Sequence, residues 1–246
     1  MLTNRLRVTA LTLLAVAALW TAPAAQAHPL LPARDRTSHP AAARSSDRPF
    51  VLVDASSGAV VRARPGGAIL GALDGVTPLG TPTWLWALGE SRDGRWARVV
   101  LPWRPNGRTG WISIAGRRTV RTHTWVQVDV SRRRVIVMRG DTVVASYVAA
   151  VGTSTSPTPS GRFSVTDPVA TGDPSGPFGW YAFGLSGHQP NLPAGWGGGD
   201  QLAIHGTNAP SSIGTAASAG CLRVSAGALS VLKAQLRLGT PVVIQT

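Results

Sequence analysis

A thiol acting as a nucleophile needs a base or an imidazolium beside it, because with a pKa of about 8.5 it is mostly protonated at neutral pH. This sequence of 246 residues holds one cysteine, Cys221, in the stretch Ser218-Ala219-Gly220-Cys221-Leu222-Arg223. Upstream, Ile204-His205-Gly206-Thr207 sets a histidine at the end of a predicted strand, followed by a glycine turn. His205 is the candidate base. Gly220 lets the backbone turn the N–H groups of Gly220 and Cys221 toward a developing oxyanion, the donors that acyl transfer requires. From the residues alone, a lone cysteine also reads as an inert, buried side chain. One cysteine forms no internal disulfide and no multi-cysteine zinc site. His123 and His188 lack clustered ligands, so no metal and no cofactor are expected.

The elements that must position these residues are mostly short strands. Gly and Pro, 28 and 19 in number, occur without a triplet period, which points to a turn-rich, mainly β protein. Strands are expected at residues 50–53, 60–64, 83–88, 96–101 and 110–113, broken by Pro65-Gly66-Gly67, Arg92-Asp93-Gly94 and Pro105-Asn106-Gly107. They suggest a small barrel over residues 49–120. Residues 125–130 alternate at period two and return at 134–138, a hairpin around Ser131-Arg132-Arg133. Further strands are expected at 142–151, 162–166, 180–185, 201–205 and 241–245. One helix is expected at 226–236, with Leu229, Leu232 and Leu236 on its apolar stripe, Ser225 capping its start and Gly239 its end.

Arg5 and Arg7 precede an apolar run at residues 8–20, and Ala25-Gln26-Ala27 supplies small residues for cleavage, so residues 1–27 read as a secretory signal peptide. Residues 28–48 lack apolar periodicity and read as a disordered linker. The expected product is secreted to the cell wall or beyond, without a stable membrane anchor. Without Arg5 and Arg7 the formal charge is +11, spread as +2 over 28–48, +5 over 49–120 and +4 over 121–246. Such an even spread suits an anionic wall surface or simple solubility. No nucleic-acid-binding motif is present.

Arg64-Pro65-Gly66, Gly94-Arg95-Trp96-Ala97-Arg98-Val99 and Gly110-Trp111-Ile112 resemble a bacterial SH3-like wall-associated module. Trp84, Trp86, Trp96, Trp103 and Trp111 crowd this region, as its core or as a surface for sugar rings. The segment His205-Gly206-Thr207, a spacer, then Ser218-Ala219-Gly220-Cys221-Leu222-Arg223 resembles the signature of the YkuD-type L,D-transpeptidases. Val151-Gly152-Thr153 and Thr158-Pro159-Ser160-Gly161-Arg162-Phe163 extend the resemblance over roughly residues 122–246, in a catalytic domain expected at 121–246. It implies a YkuD-type β-sandwich with one short helix, with Cys221 as nucleophile and His205 as base. The Gly206 carbonyl is the implied orienting group, since no Asp or Glu follows His205. Backbone N–H groups at Gly220 and Ala219 are implied oxyanion donors. Members of the family often carry His at the position of Ala219, so any help from that side chain is missing here.

The implied substrates are peptidoglycan stem peptides, attacked at the bond between the third residue, a diamino acid, and D-alanine. The implied inhibitors are carbapenem-type β-lactams. Arg223 is expected near the site, steering a stem carboxylate or bracing the cysteine loop. Ser218 and Thr207 are expected beside it, and Tyr181 and Trp196 along a substrate groove. The glycine-rich segment 195–199 reads as a lid or a plain loop. Two other readings compete with a cross-linking enzyme. One is a non-catalytic wall-binding protein, motivated by Ala219 and the tryptophans; the other is an L,D-carboxypeptidase in which water resolves the thioester.

Overall fold

The computed structural model describes residues 48–197 and 199–246. The expected signal segment 1–27 and, save Arg48, the expected linker lie outside the described residues. In residues 50–122, seven strands form one sheet: β1 (Phe50–Asp54), β2 (Ala59–Arg62), β3 (Ile69–Leu73), β4 (Trp84–Glu90), β5 (Trp96–Val100), β6 (Thr109–Ser113) and β7 (Thr119–Thr122). Period-two alternation drives them: in β5, Ala97 and Val99 are fully buried while Arg98 between them is exposed. Val53, Val61, Leu85, Val99 and Ile112 meet in one core.

Five strands were expected here, so β3 and β7 are additions. Ile69 and Leu70 of β3 are 62% and 44% exposed, so burial lends that strand no pattern to read. β7 is Thr-Val-Arg-Thr, and pairing with β1 makes it a strand. The expected boundary at 120/121 therefore falls inside β7. The sheet order is β3-β2-β6-β5-β4-β1-β7, with β3 and β7 as its edges, where a small barrel was expected.

The second unit begins with the hairpin of β8 (Thr124–Asp129) and β9 (Arg134–Arg139), followed by β10 (Thr142–Val148), the two-residue β11 (Val151–Gly152) and β12 (Gly161–Ala170). Then come β13 (Tyr181–His188), β14 (Gln201–His205), β15 (Ala216–Ser218), β16 (Leu222–Arg223), α1 (Ala226–Gln235) and β17 (Pro241–Gln245). Eight of these strands run in the order β10-β9-β8-β17-β12-β13-β14-β16, and β11 pairs with β15 alone. β12 turns the sheet over. Its first four residues pair with β17, and beyond them it pairs with β13 through a bulge between Val165 and Asp167. The two leaves enclose Val126, Phe163, Phe183 and Ile204, and α1 closes the core with Leu229 and Leu232.

The α1 helix starts where expected, with the Ala228 N–H donating to the Ser225 hydroxyl at 3.2 Å. Its end differs from expectation. Leu236 is the C-cap in extended conformation, and Gly239 (φ 77°) instead donates its N–H to the Val165 carbonyl at 2.8 Å.

The two sheets are joined by named contacts. Phe50 packs its ring against Trp86 of its own sheet and Trp125 of the other. The Thr77 hydroxyl donates to the buried Asp167 carboxylate at 2.5 Å. Asn106 pairs with the backbone of His188 in both directions, at 2.6 and 2.8 Å, and Arg104 grips Asp200 through two nitrogens.

Candidate active site

Strand periodicity explains how the chain presents its thiol. β14 and β16 run parallel, with Ile204 opposite Leu222 and His205 opposite Arg223. Ile204 and Leu222 point into the core. Their alternates, His205 on β14 and Arg223 with Cys221 two residues before it, therefore share the opposite face. Ala182 of β13 sits opposite His205 on the other side.

His205 is 3% exposed, and its Nδ1 lies 2.5 Å from the Gly206 carbonyl oxygen. A carbonyl only accepts, so Nδ1 carries the proton and Nε2 presents a lone pair. Burial drives the His205 pKa down to about 4; the Gly206 hydrogen bond opposes the shift and the Arg223 charge adds to it. The imidazole is thus neutral at pH 7. The edge of Phe178 meets the ring, with centroids 4.9 Å apart.

Behind His205, Gly179 (φ 61°) and Gly206 pack backbone to backbone. A Cβ on Gly179 would lie 2.8 Å from the Gly206 Cα, which is why neither residue carries a side chain.

Burial pushes the Cys221 thiol above its ordinary value, while a hydrogen bond from the Ala203 backbone and the Arg223 charge act against the rise. The thiol, just before the start of β16, faces the Gln201 carbonyl at 3.9 Å. Among the described residues no hydrogen bond joins the sulfur to His205. The resting pair is a neutral thiol and a neutral imidazole. Arg223 is the nearby cation; its Nε is buried without a partner, and no carboxylate pairs with it among the described residues.

The loop before Cys221 is held from three sides. The Ser218 hydroxyl donates to the Cys221 carbonyl at 2.6 Å and accepts the Gly220 N–H at 3.1 Å. Thr158 accepts the Gly152 N–H and donates to the Gly220 carbonyl. The buried Gln189 amide donates to the Pro157 and Ala219 carbonyls at 2.9 and 3.1 Å. Gly220 sits at φ 116° with a Cβ position only 2.1 Å from the Gln189 amide nitrogen, so no side chain fits there.

Several expected roles change. The Gly220 N–H is committed to Ser218, whereas among the described residues the Ala219 and Cys221 N–H groups meet no acceptor. Ser218 is 3% exposed and braces the cysteine turn rather than facing a substrate. Tyr181 is 7% exposed and alternates with Phe183 and Leu185 on the core side of β13, beneath the Lys233 ammonium 4.7 Å from its ring centroid. The Thr207 hydroxyl accepts the Ala209 N–H in a local turn. Trp196 is 45% exposed, its indole N–H donating to the Gly199 carbonyl, in a segment closed at its base by the Gln189 N–H on the Asp200 carbonyl.

Sequence reading missed Gln189, Phe178 and Gly179, which lie in loops without pattern. The one signal for Thr158 and Gly152 was their place in the upstream motif. Among the described residues no group of three or more His, Cys, Asp or Glu is placed to hold a metal, and no helix is long and apolar enough to cross a membrane.

A neutral thiol and a neutral, oriented imidazole on one face of a parallel strand pair, with unpaired N–H groups beside the sulfur, form an arrangement that can support thiol-nucleophile chemistry. Residues 123–244 match the YkuD family model, the L,D-transpeptidase catalytic domain. The YkuD protein of Bacillus licheniformis, which carries an L,D-transpeptidase name, is 35% identical over 114 residues, 46% of this chain and 61% of that protein. Its namesake in Bacillus subtilis is 32% identical over 99 residues, 40% and 52% of the two chains. The chain thus spans between half and two thirds of the length of these relatives. Among solved structures, an L,D-transpeptidase from Mycobacterium smegmatis is 16% identical, covering 61% of this chain and 90% of its own, with a TM-score of 0.40. L,D-transpeptidase 3 from Mycobacterium tuberculosis, in complex with a faropenem-derived adduct, is 17% identical, covering 58% and 76%, with a TM-score of 0.41.

Proposed function

We propose that the protein is an exported peptidoglycan L,D-transpeptidase that works through a cysteine thioester. One observation carries this reading: Cys221 and His205 share a sheet face while the Gly206 carbonyl fixes the imidazole with its Nε2 lone pair available. The Cys221 sulfur attacks the carbonyl carbon between the diamino acid and D-alanine as its proton passes to Nε2 of His205. The oxyanion is met by the unpaired N–H groups of Cys221 and Ala219. The C–N bond then breaks, D-alanine leaves with the proton from Nε2, and a thioester remains. An amine of a second stem attacks it; its proton passes to His205 and on to the departing sulfur, restoring the thiol. Arg223, cationic and with an unpartnered Nε, receives a stem carboxylate.

The N-terminal sheet serves as an SH3-like wall-associated module, and residues 1–27 direct export. The experiment is incubation of the purified protein with tetrapeptide muropeptides, with products identified by mass spectrometry. Dimers cross-linked between third residues are expected, together with a carbapenem adduct on Cys221. Tripeptide products alone would make it a carboxypeptidase, and no adduct with no product would leave a wall-binding protein.

A further inference from the structure

A cavity of about 420 Å³ lies between the two sheets, in the size range of small-molecule sites. Trp84, Trp103 and Asp74 line it from the first unit, and Ser164, Asp200 and Gln201 from the second. Gln201, whose carbonyl faces Cys221, is also one of the residues lining the cavity. We propose that this cavity binds an uncharged saccharide segment.

The charges lining the cavity do not favour an anion. The chain carries +13 overall, yet the cavity gathers Asp74, Asp167 and Asp200 against Arg104 and His188, and both of those contact Asp200. Asp167 is held by the neutral donors Thr77 and Gln201, and the exposed Asp74 carboxylate meets no donor among the described residues.

The indoles argue against a cationic ligand. Arg118 already stands over Trp84 at 5.6 Å and Arg108 over Trp103 at 5.4 Å, so the protein fills the cation position itself. The parts of these half-buried indoles that the arginines leave uncovered, beside acceptors, suit the C–H faces and hydroxyls of a pyranose. A further mark of a missing partner is Ser164, 1% exposed, whose hydroxyl lies unpartnered at the cavity wall. Native structures rarely leave such a group unsatisfied.

If the functional reading above holds, the saccharide is the glycan of the same polymer; the binding itself does not depend on that reading. The test uses the full chain with Cys221→Ala, titrated with the tetramer of N-acetylglucosamine and followed by the indole N–H resonances. Saturable shifts are expected, with affinity falling roughly tenfold in Asp74→Asn, as for the loss of a hydrogen bond to a charged group. Ser164→Ala should weaken binding without lowering the unfolding midpoint, since the hydroxyl has no partner in the free protein. No saturation by about 10 mM sugar, or equal affinity in both variants and the parent, would overturn the proposal. Carbapenem acylation of the unaltered chain tests the nucleophile separately.

Discussion

At the scale of single residues, the protonation states set the chemistry. With His205 lowered to about 4 and the thiol raised, the pair rests as thiol plus free base rather than as a preformed ion pair. Acylation by a carbapenem should therefore stay level from about pH 5 to 8 and fall on an acid limb near pH 4, well below the ordinary histidine range. A limb near 6.5 in the rate profile would contradict this. Because desolvation is the main cause of the shift, Phe178→Ala, which uncovers the ring, should move the His205 pKa and the limb upward together; histidine NMR titration reads the first and kinetics the second.

The same residue makes stability pH-dependent. The unfolded chain binds the proton at about 6.5 and the folded chain only near 4, so stability is full above 6.5 and declines as pH falls through that window. The loss approaches about 3 kcal/mol below pH 4. The difference in urea midpoint between parent and His205→Asn should be constant above pH 6.5 and change only as pH falls from 6.5 toward 4. His205→Ala should slow acylation at least about a hundredfold, and Cys221→Ser should abolish it with the fold intact. Ala219→His should change the rate by less than about tenfold if position 219 supplies only its N–H.

At the scale of elements, the site depends on strands that expose one face and on two glycine contacts that bring loops close. Gly179→Ala would drive a Cβ into Gly206 and displace the carbonyl that orients His205. A stability loss of about 1 to 3 kcal/mol is expected, with a larger fall in acylation rate than in binding of the β-lactam, read as kcat against KM. His205 and Cys221 were singled out in the sequence by the likeness of their segments to a family signature, since from residue types alone Cys221 reads equally as an inert buried side chain. Tyr181 was misassigned because a single sequence does not reveal which face of its strand meets the core; that was settled by the register of Ala182 against His205. Gln189 was invisible for a related reason. Its partners, Pro157 and Ala219, lie about thirty residues away on either side, and nothing local announces such a contact. β3 and β7 became strands by pairing alone, where propensity is weakest as a guide.

At the scale of the whole molecule, the two sheets act on one another through polar contacts across their seam. Asp167 is fully buried and takes one of its hydrogen bonds from Thr77, a residue of the other unit. Thr77→Val should cost about 1 to 3 kcal/mol, lowering the thermal midpoint by several degrees in a single transition, as calorimetry would show. A midpoint unchanged within a degree would mean that the seam carries no stability. The segment between Gln189 and Asp200 has a different character. Its stems are pinned by His188 on Asn106, Gln189 on Ala219, Asp200 on Arg104 and Gln201 on Asp167, while Trp196 between them is exposed. Closure entropy grows only with the logarithm of length, so doubling this stretch would cost roughly 0.6 kcal/mol. The span beside the thiol is therefore open to insertions that leave the reactive pair in place, a position where chain length can drift or a reporter can be built in at little thermodynamic cost.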